Sequence, residues 1–231
     1  MALPYFYSND LNSNPVVLDE DTSRHIVQVL RMKLADELLL TDGKGQKAKA
    51  MITGDHRKHC TVQLVSVENE QRRLPLVTIG ISLIKNVTRF EWFLEKATEI
   101  GVQEIVPLIC ERTEKEKFRY DRLNNIIISA MLQSQQCWLP QLHPPVDFEK
   151  AVSTCTVERK FIAHCLPQQK SKFMQTDALS PSIVLIGPEG DFTEAEIQVA
   201  LENDFQPVSL GSTRLRTETA GIVAATLLCI A

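Results

Sequence analysis

What the chain lacks narrows the field first. No stretch reaches the roughly 18 consecutive apolar residues that a membrane-spanning helix needs. The longest apolar run, Gly221 to Ala231, reads as a buried helix instead. The opening MALPYFYSNDL has neither a basic flank nor an apolar core, so no signal peptide is expected. The six cysteines are scattered without a CxxC pair, as expected of reduced cytosolic thiols. His56, His59 and Cys60 lie close together, but zinc spacings are missing. They read as the exposed end of a hairpin, and no metal is expected. Neither GxxxxGK[ST] nor GxGxxG occurs, which excludes the common phosphate cradles. A net charge of −4 argues against a general polyanion binder.

What is present is unevenly distributed. From Thr22 to His59 there are eight Lys or Arg (Arg24, Arg31, Lys33, Lys44, Lys47, Lys49, Arg57, Lys58) against four acids (Asp36, Glu37, Asp42, Asp55), a local excess of +4. A basic patch on an acidic protein suits a phosphate-contacting module, although a solvated charged face has the same composition. Up to about Glu70 the apolar runs are short. Glu37–Leu40, Ala48–Thr53 and Thr61–Val67 read as strands and Asp21–Leu30 as a short helix, which together predict a small β-barrel over 1–70. Glu68 to Arg73, polar and followed by Pro75, reads as a linker.

From residue 74 to 231 strands and helices alternate, the pattern of an α/β domain with a mostly parallel sheet. Strands are expected over Leu76–Ile84, Gln103–Ile109, Lys160–Cys165, Ser182–Ile186 and Pro207–Leu210. Helices are expected over Arg89–Ile100 with Gly101 as its C-cap, Asp121–Gln136, Glu194–Asn203 and Thr217–Ala231. Thr193 and Glu196 carry the spacing of a capping box.

Two strand-to-helix loops have the composition of a ligand site. The first is Ile186-Gly187-Pro188-Glu189-Gly190-Asp191-Phe192. The second runs from Leu210-Gly211 through Leu215 and Arg216 to Thr219 and Ala220. Both follow the carboxyl ends of strands, where α/β sheets bind ligands. Glycine there admits a ligand close to the backbone. Glu189, Arg216 and Glu218 are the polar groups available for chemistry or support. Gly and Pro between a strand and a helix also make ordinary turns, so these loops alone leave the matter open.

The two loops together resemble the signature of the ribosomal RNA small subunit methyltransferase E family, SPOUT-superfamily enzymes that methylate N3 of a uridine in 16S ribosomal RNA. Further pieces are similar along nearly the whole chain. Arg24-His25-Ile26 with Val29-Leu30-Arg31 and Asp42-Gly43 resembles the family's PUA-like RNA-binding domain. Lys85 and Glu95-Lys96-Ala97-Thr98-Glu99 with Gly101-Val102 resemble its first helix, and Gln133-Ser134 with Pro140 the segment after its second. The resemblance implies an N-terminal PUA-like β-barrel and a C-terminal SPOUT α/β domain with a deep trefoil knot. It implies S-adenosyl-L-methionine as cofactor, held by Leu185, Ile186, Gly187, Glu189, Gly190, Leu210, Gly211, Leu215, Arg216, Thr219 and Ala220. Arg216 and Glu189 are the candidate catalytic residues, and Arg24, His25, Arg31 and Lys33 the candidate RNA contacts. The expected partners are 16S rRNA or the small ribosomal subunit and a second copy of the chain, in the cytoplasm, without membrane. The dimer interface is expected to include the last helix, with the small residues Ala220, Gly221, Ala224 and Ala225 allowing close approach.

The chain departs from the family pattern at Asp191, where a second glycine is usual, and at Leu132 and Gln136, where Glu and Arg are more usual. Asp191 is expected just outside the cofactor pocket. A SPOUT enzyme acting on a ribose 2′-hydroxyl or another base, and an inactive RNA-binding assembly protein, are the competing readings.

Overall fold

The structure is a computed structural model that describes residues 3–114, 117–166, 170–172 and 180–230. The chain divides into two compact units, one of 1–72 with 131–139 and one of 73–130 with 140–231.

The first unit is a curled sheet. Its strands are β1 (Tyr5–Tyr7), β2 (Val16–Val17), β3 (Glu37–Thr41), β4 (Gln46–Gly54) and β5 (Thr61–Asn69), in the order β1-β3-β4-β5-β2. β1 pairs parallel with β3, and the other pairings are antiparallel. Alternate residues of β4, Ala48, Ala50 and Ile52, are buried, as the period of two requires when one face meets a core. Register shifts at Lys49/Ala50 and Ile52/Gly54 bend that strand. The order is open at β1 and β2, so the expected barrel is a half-barrel. The helix expected over Asp21–Leu30 is α1 (Glu20–Arg24), capped by the Asp19 carboxylate, running into a π-helical turn, His25–Val29. β5 continues two residues past Val67, into the stretch that reads as linker.

The segment 131–139 belongs to this sheet by its hydrogen bonds. The Tyr5 hydroxyl donates to the Gln136 carbonyl (3.1 Å), Gly45 N to Cys137 O (3.0 Å), and Leu139 N to Gly43 O (2.8 Å). Gly45 must be glycine, because a Cβ there would stand 2.4 Å from the Trp138 ring.

The second unit is an α/β layer. Its strands are β6 (Val77–Ser82), β7 (Glu104–Ile109), β8 (Gln141–Leu142), β9 (Val146–Asp147), β10 (Arg159–Ala163), β11 (Ser171–Lys172), β12 (Ser182–Ile186) and β13 (Gln206–Ser209). The sheet order is β11-β13-β10-β12-β6-β7-β8, with β9 also on β7, and the pairings are parallel. β6 and β12 are buried along their whole length, as central parallel strands covered on both faces must be. The helices are α2 (Val87–Ile100), α3 (Tyr120–Gln133), α4 (Phe148–Ser153), α5 (Glu194–Glu202) and α6 (Thr217–Cys229). Gly101 caps α2 in the left-handed conformation, and Thr193 with Glu196 forms the capping box of α5. α3 stops three residues before the expected Gln136, where Gln135 turns to a positive φ. α6 ends at Cys229, and the expected terminus Ala231 lies outside the described residues. Among the described residues no helix is long and apolar enough to cross a membrane.

α6 packs on β6, β12 and α2. Ala224 and Ala225 are fully buried in that contact. A Cβ on Gly221 would stand 2.6 Å from the Phe93 ring of α2. Of the small residues expected to admit a partner helix, Gly221, Ala224 and Ala225 are buried within the subunit, and Ala220 is half-buried.

Candidate functional site

The carboxyl ends of β10, β12 and β13 open onto a cavity of about 700 Å3. One wall is the loop after β12. Its turn is closed by Asp191 N donating to Pro188 O (2.9 Å). Asp191 takes φ 65, a left-handed backbone that glycine adopts freely and Asp tolerates better than most residues. Its carboxylate accepts from Cys165 N (2.7 Å) and from Phe192 N (2.9 Å), so it ties this loop to the end of β10. Asp191 lines the cavity rather than sitting just outside it, as its place after Gly190 had led one to expect. Arg112 donates to the Gly190 carbonyl (2.6 Å), and the Thr217 hydroxyl to the Gly187 carbonyl (3.0 Å).

A chain of charges crosses the mouth. Arg89 on α2 lies 3.5 Å from a Glu189 oxygen and 3.7 Å from a Glu218 oxygen. The Glu218 side chain is only 9% exposed, and its second oxygen, Oε2, has no hydrogen-bond partner. Arg89 thus fixes Glu189 from one side while compensating a buried carboxylate on the other. Arg216, by contrast, is exposed on the cavity wall and makes no ion pair among the described residues. Arg214 and Arg112 also line the wall. Beneath the site, burial pushes the Cys110 thiol up to about 12, with Glu196 adding to the effect, so it is no nucleophile at neutral pH.

A second cavity, of about 200 Å3, adjoins the first across Ala163, Cys165, Arg214, Leu215 and Ala220. It is walled by the loop after β13, with His164 and Lys170 opposite. Gly211 has φ 151, and a Cβ there would meet nothing within 4 Å. Glycine at this position keeps the backbone unstrained and the space open.

Of the cofactor residues expected from the sequence, Ile186, Gly187, Glu189, Gly190, Leu215, Arg216 and Ala220 line the larger cavity, and Leu210, Gly211, Leu215 and Ala220 the smaller. Leu185 and Thr219 line neither: Leu185 is packed in the core against Gly80, and Thr219 is half-buried on α6. The sequence reading missed Arg89, Arg112, Asp191, Arg214 and the stretch Ala163 to Leu166. Most of that stretch falls inside the strand expected over Lys160–Cys165; β10 ends earlier, at Ala163, and so leaves it past a strand carboxyl end, where ligands bind.

In the first unit Arg24, His25, Arg31 and Lys33 are all exposed. Arg24 spends its charge on Glu20 (2.8 Å) and Asp21 (3.7 Å), and the His25 ring sits edge-on to Phe6. Arg31 and Lys33 make no ion pair among the described residues and are the freer cations. The His56 and His59 rings stack on each other at the β4–β5 turn, above a buried Cys60.

Comparison with known proteins places these features. The chain matches the family model described as "RNA methyltransferase domain" over residues 71–229, and the one described as "RNA methyltransferase PUA domain" over residues 18–65. It is 33% identical to the ribosomal RNA small subunit methyltransferase E of Synechocystis sp., across 90% of this chain and 71% of that protein. A solved structure from Porphyromonas gingivalis is 37% identical with a TM-score of 0.89, covering 97% of this chain and 96% of that one. The ribosomal RNA small subunit methyltransferase E of Neisseria gonorrhoeae, solved bound to S-adenosyl methionine, is 30% identical with a TM-score of 0.87, covering 97% and 96%.

Proposed function

Because the chain belongs to the ribosomal RNA small subunit methyltransferase E family, we propose that it methylates N3 of a specific uridine in 16S ribosomal RNA, using S-adenosyl-L-methionine. The observation that carries the reading is the cavity between the loops after β12 and β13, where Gly187, Gly190, Glu189 and Arg216 meet. The residues present fit the cofactor: a recess at Gly211, open to backbone and walled in part by Val208, Leu210 and Leu215, adjoins a larger space lined by arginines and carboxylates. The cofactor supplies an electrophilic methyl group on a sulfonium. The protein's share is alignment of that group with the attacking nitrogen, and handling of the N3 proton. Arg216, free at the wall, stabilises negative charge on a uracil oxygen or holds a flanking phosphate. Glu189 accepts the proton or, braced by Arg89, holds the loop in register. The target base must reach the site unstacked.

The same reading divides the labour between an RNA-binding module over 1–70 and a methyltransferase domain over 74–231, at work in the cytoplasm. Arg31, Lys33, Arg24 and His25 supply the phosphate-contacting face. A trefoil knot belongs to it too, supported by the grip of Thr217 on Gly187 and by α6 lying against β6 and α2, the first strand and helix of its unit. So does a homodimer, supported by the stripe Val223 and Leu227 on α6 with Ile230 at its C-cap, of which Ile230 is 63% exposed. Light scattering of Ile230→Asp should then report monomers where the parent reports dimers; a monomeric parent overturns the pairing. For the activity, the modified nucleotide is mapped in ribosomal RNA from cells with and without the protein. A uridine N3-methyl mark that vanishes with the protein is the expected result. Loss of a ribose methyl, or of no mark at all, favours the competing readings.

A further inference from the structure

A third cavity, of about 320 Å3, opens at the same end of the sheet as the larger one. β6 and β12 are neighbours in that sheet, with Ile81 opposite Ile186, so their carboxyl ends lie side by side. The larger cavity takes the residues from Ile186 onward, and the third takes Leu83 and Ile84, directly after β6. The first turns of α2 border both. Arg89 lines the larger cavity, while Val87, Thr88, Phe90 and Glu91 line the third.

The opposite wall comes from the approach to α3. Lys117, Phe118 and Arg119 precede that helix, and Arg122 and Leu123 lie in its first turn. The floor is apolar: Leu83, Ile84, Phe90 and Leu123 are all buried. Phe118 is half-buried, its ring centroid 6.4 Å from that of the exposed Tyr120. The rim is cationic. Lys117, Arg119 and Arg122 face one acid, Glu91, and Arg122 neutralises it, with Nε 2.6 Å from one oxygen and Nη2 donating to the other (3.0 Å). Glu114, upstream of Lys117, pairs with Lys85. Lys117 and Arg119 are exposed and make no ion pair among the described residues. Two uncommitted positive charges thus stand over an aromatic and aliphatic floor. One nucleotide satisfies both halves of that lining, its base stacked on the aromatic ring and its phosphate on the cations. An apolar peptide would leave the cations without counter-charge, and a free inorganic anion would leave the floor uncovered.

We propose that this cavity binds a nucleotide of the RNA substrate close to the target uridine, its base against Phe118 and its phosphate on Lys117 and Arg119. This rests on the RNA methyltransferase reading above and goes beyond it by giving the catalytic unit an RNA contact of its own. Presenting the target base costs the stacking it had with its neighbours. A neighbour held in a second pocket offsets part of that cost and keeps the strand from closing again.

The test uses the full chain and small ribosomal subunits purified from cells that lack the protein. Phe118→Ala should raise KM for the subunit about tenfold, the value of one stacked base, and leave kcat within about twofold. Phe118→Trp, which keeps a stacking face, should hold the parent's KM. Lys117→Ala with Arg119→Ala should weaken subunit binding about tenfold and lower the slope of log affinity against log salt by about 2. S-adenosylhomocysteine affinity should stay at the parent's value in every variant. In parallel, ultraviolet crosslinking of the parent to the subunit should leave ribosomal RNA on the peptide that carries Phe118, a readout that stands even if a variant folds poorly. Unchanged KM in Phe118→Ala, or no RNA on that peptide, overturns the site. A parallel loss of S-adenosylhomocysteine affinity also overturns it, because the cavity then serves the cofactor. So does a variant that turns dimers into monomers in light scattering, since a second copy of the chain is then the occupant. Uridine 5′-monophosphate that competes as strongly as the subunit marks a free-nucleotide site and overturns it as well. If the parent transfers no methyl group to the subunit, the activity reading falls, and the crosslink still decides this site on binding alone.

Discussion

In the loop after β12, almost every residue that faces the cavity is held by something else: Gly187 by Thr217, Glu189 by Arg89, Gly190 by Arg112, and Asp191 by the Cys165 and Phe192 amides. In the loop after β13, Gly211 to Arg214 are exposed, and among the described residues the one side-chain hydrogen bond there is Ser209 Oγ to the Gly211 carbonyl (3.0 Å). The first wall is pre-organised, so it adds little ordering cost when a ligand arrives. The second has free peptide groups and a free arginine, so its order must come from the ligand. Charge handling follows the same split. Arg89 is committed to two carboxylates, while Arg216 is left for whatever enters.

Four changes test that contrast, taken from the largest expected effect. Arg216→Ala should lower kcat by about 10²–10³, as loss of a preorganised cation does, with melting temperature and cofactor affinity nearly unchanged. A melting temperature that drops with activity would show that Arg216 is braced after all. Gly211→Val should weaken S-adenosylmethionine binding by about a hundredfold in calorimetry, because a β-branched residue at φ 151 strains the open loop and projects into the space the ligand needs. Gly190→Val, whose Cβ would press on the Arg112 side chain at 3.2 Å, should cost less because that chain can move. Equal effects at the two glycines would erase the distinction between the walls. Arg89→Ala should act mainly on stability, leaving the buried Glu218 carboxylate unpaired at a cost of about 1–3 kcal/mol and lowering the melting temperature by about 5 °C. Arg89→Ala with Glu218→Gln should recover much of it.

The smallest effect concerns pH. Burial in the folded state holds the His164 imidazole below its ordinary value, so on acidification the unfolded chain takes up its proton first. This contribution to stability is flat above about pH 6.5, declines as pH falls below it, and levels off once the folded-state value is passed. Comparing melting temperatures of the parent and His164→Asn between pH 5 and 8 isolates it. Parallel curves would mean that the ring protonates freely in the folded protein.

Much of the second unit was legible because its signals are local. The apolar runs at Val77–Ser82 and Ser182–Ile186, the capping box at Thr193 and the glycine after Ile100 each settle their own neighbourhood. The elements that went unread are short or depend on distant partners. β1 exists because Tyr5–Tyr7 pairs with Leu39–Thr41, and α4 is a six-residue helix set just after β9. The site divides likewise. Both glycine loops are visible as strings, whereas Arg89 and Arg112 reach the cavity from other elements across 100 and 78 residues. The last helix teaches a subtler point. Its all-round apolarity predicts two covers, and the sequence pattern does not choose between a partner and α2; only the packing of Phe93 over Gly221, where a Cβ would stand 2.6 Å from the ring, shows that α2 covers the helix there.

The return of residues 131–139 to the first sheet has a practical consequence for anyone dissecting the protein. Cutting the chain near residue 72 does not release an RNA-binding module. It releases a sheet whose Gly45 amide, Gly43 carbonyl and Tyr5 hydroxyl have lost the backbone they bond, with a bare glycine edge where Trp138 lay. Such a fragment invites intermolecular strand pairing. A faithful excision needs a graft, with residues 131–139 carried along on a short linker after residue 72. Solubility of that graft, set against the plain truncation, measures how far the half-barrel depends on a piece of chain translated some sixty residues after its last strand.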